Sequence, residues 1–111
     1  MEKILSEWNQ YNKELSLHFT NRDRDRALPV MRNAIELFKQ FLFESNGLDQ
    51  DSNRIEDCKL KPVNVRERLE FVSSMPALFQ SYKQLAELFA EQEKQYARKA
   101  ALIQVKNKRP D

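Results

Sequence analysis

Apolar residues in this chain recur every three or four positions, and that spacing predicts helices almost throughout. Ile4, Trp8, Tyr11, Leu15 and Phe19, with Leu5 beside them, mark one stripe of a helix over about 3–19. Lys3, Glu7, Gln10, Lys13 and Glu14 form its wet face. A second stripe, Leu28, Met31, Ile35, Phe38 and Leu42, belongs to a helix over about 27–46. Val30, Leu37, Phe41 and Phe43 widen it beyond half the circumference, which places this helix at the centre of a bundle.

The punctuation between stripes is equally readable. Asn21 to Arg26 holds nothing to bury; Asp23 or Asp25 suits an N-cap there, and Pro29 falls in a first turn where its missing N–H costs little. Asn46-Gly47 closes the second helix, with Gly47 as its left-handed terminal residue. Residues 48–63 are rich in Asp, Asn, Ser and Lys and include Pro62, so they predict a loop or crossover. That is long for a compact domain, so the stretch either holds a short helical piece near 55–60 or is mobile.

Asn64-Val65-Arg66-Glu67 reads as a capping box opening a short helix over 65–73, with Val65, Leu69 and Val72 facing inward. Met75-Pro76 ends it, and Pro76 opens the last helix, over about 76–104. Its stripe is Phe79, Tyr82, Leu85 or Ala86, Phe89, Tyr96, Ala100 and Ile103, interrupted by Gln92 and Glu93. The expected fold class is all-α: three long helices plus one short helix in a single domain over 1–104, followed by a flexible basic tail over 105–111.

Composition sharpens this picture at one point. A single glycine in 111 residues cannot supply the positive-φ positions of several hairpins, so sheet architectures are excluded. The same count removes the glycine-rich phosphate loops of nucleotide-binding enzymes. A net charge of +2 implies no electrostatic partner by itself. With Cys58 as its one cysteine and no apolar run of membrane-spanning length, the chain is expected in a reducing cytoplasm, without a signal peptide.

Candidate chemistry is thin. His18 is the one histidine, and Leu15 stands three residues before it, so the Glu-x-x-His pairs of di-iron bundles are missing. Glu14 and His18 share a helix face but supply only two ligands. A Cys58–His18 pair is the one nucleophile–base combination the composition allows. Asp49, Asp51, Glu56 and Asp57 crowd one loop without the later Gly and Glu of an EF-hand, and Glu87 and Glu91 lie a turn apart. Solvating charge accounts for these carboxylates. No catalytic residue, cofactor or metal site is expected.

Residues 64–72, Asn-Val-Arg-Glu-Arg-Leu-Glu-Phe-Val, resemble the YpoC-like proteins of Gram-positive bacilli. So do Pro76, Tyr82, Gln84-Leu85, Leu88-Phe89, Glu91 and Lys94-Gln95-Tyr96-Ala97, within a resemblance covering about 60–97. The resemblance implies a small cytoplasmic helical protein of bacteria, and it brings no catalytic or ligand-binding residue with it.

The expected function is a protein–protein interaction module, binding another protein or a second copy of itself. Trp8, Phe41 and Phe43 are its candidate anchors, because aromatic side chains dominate interface energetics. The alternative is an accessory protein binding nucleic acid or another polyanion through Lys94, Arg98, Lys99, Lys106, Lys108 and Arg109. Against it, no aromatic is interleaved near that end for base stacking.

Overall fold

The computed structural model describes residues 1–108, with side chains placed through Ile103. Four α-helices account for most of it: α1 Glu2–Thr20, α2 Arg24–Ser45, α3 Val65–Ser74 and α4 Phe79–Lys108. A single 3-10 turn, Ile55–Asp57, lies in the long connection between α2 and α3. No strand occurs among the described residues. The architecture is thus the all-α bundle that the apolar spacing predicts, and no helix among the described residues is long and apolar enough to cross a membrane.

α2 is the central element: it buries ten side chains, whereas α1 buries three, Ile4, Trp8 and Leu15. α1 and α4 run antiparallel and pack on each other as well as on α2. Trp8 stacks on Phe89 with ring centroids 4.1 Å apart and planes 6° from parallel, and the Tyr82 hydroxyl donates to the Asn12 side chain one turn further along. Phe38 meets Phe89 edge-on at 5.1 Å, and Phe41 stacks near it at 6.1 Å. One aromatic ring of α4 thereby ties three helices together.

The same antiparallel register places the start of α1 opposite about residue 96. Beyond that point α4 has no α1 beside it. The radius of gyration, 15.4 Å, exceeds the roughly 13 Å of a compact domain this size, as a projecting helix end requires. α4 continues through Lys108, four residues past the boundary read from sequence, so the expected tail over 105–111 is helical at its start. The remainder of that tail, from Arg109 onward, lies outside the described residues.

Local interactions explain most boundaries, and the starts of α2 and α4 differ from the expected ones. Asp23 caps α2, its Oδ1 accepting from the Arg26 N–H at 3.1 Å. Capping at Asp23 starts α2 three residues before the expected position, so Pro29 sits inside the helix rather than in its first turn. There its ring removes the hydrogen bond that the Asp25 carbonyl would accept. Asn64 precedes α3 in left-handed geometry, φ 56°, and its side chain caps nothing, so the expected capping box is absent. Pro76 lies in the turn before α4, which begins at Phe79. The Ser81 hydroxyl, buried, closes that turn by donating to the Met75 carbonyl at 2.6 Å.

At the other end of α2, Gly47 takes φ +67°, Gly47 N–H donates to Glu44 C=O and Leu48 N–H donates to Phe43 C=O, each at 3.0 Å. This is the Schellman closure anticipated from Asn46-Gly47. Nothing lies within 4 Å of a Cβ added at Gly47, so Gly47→Ala meets no clash. It should cost about 1 kcal/mol from backbone strain alone, read as a lower urea midpoint with an unchanged m-value.

Residues 48–63 are tied down rather than loose. Asn46 donates to the Leu60 carbonyl at 2.8 Å and accepts from the Leu60 N–H at 2.7 Å. Gln92 and Gln95 of α4 donate to the Leu60 and Lys61 carbonyls at 2.9 and 2.7 Å. Cys58 and Pro62 are buried beneath these bonds.

Candidate docking surface

The three aromatic anchors read from sequence are core residues. Trp8, Phe41 and Phe43 are 6%, 0% and 5% exposed, so they complete the interior and offer a partner no surface. α1, α3 and α4 all pack on α2 and close the wide apolar face that the sequence alone left open, and Phe89 of α4 meets both Trp8 and Phe41.

Large apolar side chains do reach solvent elsewhere: Leu17, Val63, Leu102 and Ile103 are scattered, whereas three others lie close together in sequence. Phe71, Met75 and Phe79 are 40%, 52% and 53% exposed, and they fall within nine residues spanning the end of α3 and the start of α4. Phe79 belongs to the predicted stripe of α4, but the core face of the first turns runs instead through Ser81, Leu85 and Leu88. Phe79 therefore lies on the flank facing α1. It contacts Phe19 edge-on at 5.9 Å and Tyr82 at 6.1 Å, and Phe19 stacks on Tyr82 at 5.4 Å. The Lys83 ammonium lies over the Phe79 ring, 5.8 Å from its centroid. Burial, the largest influence, holds the Tyr82 phenol above its ordinary pKa, opposed by a hydrogen bond from Ser16. Tyr82 thus stays neutral and serves as a wall of the cluster.

Next to this end runs a groove of about 480 Å³ between α2 and the α3–α4 turn, lined in part by Arg32, Ile35, Ser74 and Pro76. Behind it, Arg68 fastens α3 to α4. Its guanidinium donates to both Glu91 oxygens, at 3.0 Å through Nη1, and to the Val63 carbonyl at 3.0 Å. Glu87 lies 3.9 Å away, and the Gln84 amide, with its oxygen turned inward, accepts from Arg68 at 2.7 Å. Sequence reading assigned Glu87 and Glu91 to solvent; the guanidinium between them was invisible because no spacing rule relates Arg68 to α4.

The Arg68 hydrogen bond is the main cause holding the Glu91 carboxyl below its usual range, with burial opposing it. A lowered folded pKa gives stability that is present above the ordinary carboxylate value of about 4.3 and lost as pH falls through the folded one. Since the Glu91 side chain is 41% exposed, screening limits the contribution to under about 1 kcal/mol. Glu91→Gln should be less stable than wild type by that much at pH 7, and the two urea curves should converge as the pH falls through the lowered pKa of folded Glu91.

The other sequence candidates are dispersed. Cys58 lies two residues before Leu60, at the C-terminal end of α2; His18, whose carbonyl accepts from Asp23 N–H, lies at its N-terminal end. A 22-residue helix separates the two by roughly 30 Å, so no nucleophile–base pair forms. Burial is the first cause raising the Cys58 pKa, which disfavours the thiolate.

In the acidic loop, Asp49 accepts from Asp51 N–H and Ser52 Oγ, Glu56 pairs with Arg66, and Asp57 accepts from Arg54 N–H. Among the described residues no group of three or more His, Cys, Asp and Glu side chains is placed to hold a metal ion. Lys94, Arg98 and Lys99 are exposed on α4. The Lys106, Lys108 and Arg109 side chains lie outside those described.

These features define a small all-α bundle closed around aromatic packing, with an exposed apolar end. The chain belongs to the YpoC-like protein family, whose match runs over residues 1–104 and so extends well beyond the segment that carries the resemblance in sequence. No curated protein and no solved structure matches it.

Proposed function

We propose that this protein is a non-enzymatic, cytoplasmic interaction module that docks a protein partner on the bundle end formed by Phe71, Met75 and Phe79. The observation carrying this reading is their shared half-exposure within nine residues. At 150–250 Å² for a large side chain, they leave roughly 300 Å² of apolar surface in water. That is the lower end of the roughly 300–600 Å² covered by the largest apolar patch of a typical monomer, and such patches are often functional. Folding gains nothing from leaving a phenylalanine and a methionine half wet at consecutive turns, whereas a partner would gain from covering them.

Site-specific photocrosslinking in the native cell tests the reading. A benzophenone side chain at position 79 is expected to give a discrete adduct, and one at Lys13, on the exposed face of α1, none. Adducts equally abundant from both positions, or absent from position 79, would remove it. An adduct of twice the chain mass would make the partner a second copy.

The polyanion reading has less support. Lys94 and Arg98 share a face, one turn apart, but Lys99 is rotated about 100° from Arg98, so the cations do not converge on one strip. Its test is the salt slope of DNA binding for the triple change Lys94→Gln, Arg98→Gln and Lys99→Gln. A slope equal to that of wild type would dismiss it.

A further inference from the structure

The chemistry around Phe79 also restricts what can cover it, if the docking reading above holds. Lys83 lies over the Phe79 ring. Phe19 packs edge-on against the same ring, and the Arg22 N–H donates to the Phe19 carbonyl at 3.1 Å. Lys83 therefore borders the exposed ring, and Arg22 stands in the turn three residues beyond Phe19. Among the described residues, neither has a carboxylate oxygen within 4.0 Å of its charged nitrogens; the nearby Asp23 is bridged to Arg26 at 3.3 Å. The turn over 22–26 carries three arginines against two aspartates, so its sign is positive.

A partner seated on Phe79 would strip water from Lys83 and would meet the positive turn that begins at Arg22. A buried cation without a counter-charge costs several kcal/mol, so a neutral or basic occupant is selected against. We infer that the contacting segment of the partner is acidic: a short stretch with one large apolar side chain against Phe79 and carboxylates for Lys83 and Arg22. An anionic membrane has the right charge but the wrong shape of field. Exposed Asp25 and Glu70 belong to the same end and would repel a continuous sheet of headgroups, while a narrow peptide can avoid them.

The probe is a random twelve-residue peptide display library selected on the full chain. Selected peptides are then measured by fluorescence anisotropy, beside vesicles containing one third phosphatidylglycerol. Selected sequences should place Asp or Glu around a Phe, Trp or Leu, and their binding should weaken as salt rises. Phe79→Ser should weaken binding at least about tenfold, and Lys83→Glu or Arg22→Glu by about three- to tenfold each. Exchanging a peptide Glu for Lys should restore binding to Lys83→Glu. Met75→Ser provides a second patch variant should Phe79→Ser fail to fold by circular dichroism.

Peptides that need Phe79 but carry no acidic residue would overturn the charge inference and leave docking at this end standing. Selected peptides indifferent to both patch variants would overturn both. Vesicle binding that requires Phe79, with no peptide enriched, would replace the acidic segment by a lipid surface.

Discussion

Phe89→Ala is expected to cost about 3–5 kcal/mol, the range for removing a fully buried aromatic side chain. Phe89 is the ring that Trp8, Phe38 and Phe41 all meet, so its loss opens a cavity shared by α1, α2 and α4. Three helices cannot all move inward to refill it, because each is held at its neighbouring turns. For a domain of this size the change should lower the thermal midpoint by on the order of 10–20 °C. Phe79→Ala, on the same helix, removes a ring already half in water and should cost about 1 kcal/mol. A pair of thermal melts compares them. Equal shifts would mean that the aromatic hub is misplaced.

The second large effect concerns the long connection. Asn46→Ala is expected to cost about 2–3 kcal/mol, because it removes three hydrogen bonds and leaves the Leu60 N–H without a protein acceptor. Gln92→Leu deletes a neighbouring amide with a different outcome. Ser45 Oγ still donates to the Leu42 carbonyl at 3.0 Å, and the Leu60 carbonyl still accepts from Asn46. The change also eliminates Gln92 Oε1, a buried oxygen with no hydrogen-bond partner. Gln92→Leu should therefore stay within about 1 kcal/mol of wild type. Amide exchange at Leu60 separates the two: faster in Asn46→Ala, unchanged in Gln92→Leu.

The contrast between these residues shows what was legible in the sequence. Stripes such as Ile4–Trp8–Leu15 and Val65–Leu69–Val72 were readable because helical periodicity is local, and each was found buried where expected. Gln92 was read as an interruption of the α4 stripe. It is 0% exposed, and its side chain anchors Ser45 and Leu60 from across the core. A polar residue amid an apolar stripe was itself the available signal, but its partners lie 32 and 47 residues away and no spacing rule supplies them.

The candidate surface was misread for a related reason. Aromatic content points to Trp8, Phe41 and Phe43, yet which apolar face remains wet depends on how α4 docks. That docking is set by the Phe89 hub and by Arg68 between Glu87 and Glu91. Pro76 illustrates the limit at short range. Its placement outside α4 follows from the bond between Ser81 and the Met75 carbonyl, which a first-turn preference for proline cannot foresee.

Hydroxyl-radical footprinting of the intact chain puts the division between buried hub and wet apolar end to a single measurement, since methionine and aromatic rings both report. Met75 and Phe79 should be oxidised quickly, while Met31, Trp8 and Phe41 should stay protected until the protein unfolds. Labelling of Trp8 or Met31 at the rate of Met75 in the folded protein would contradict the account.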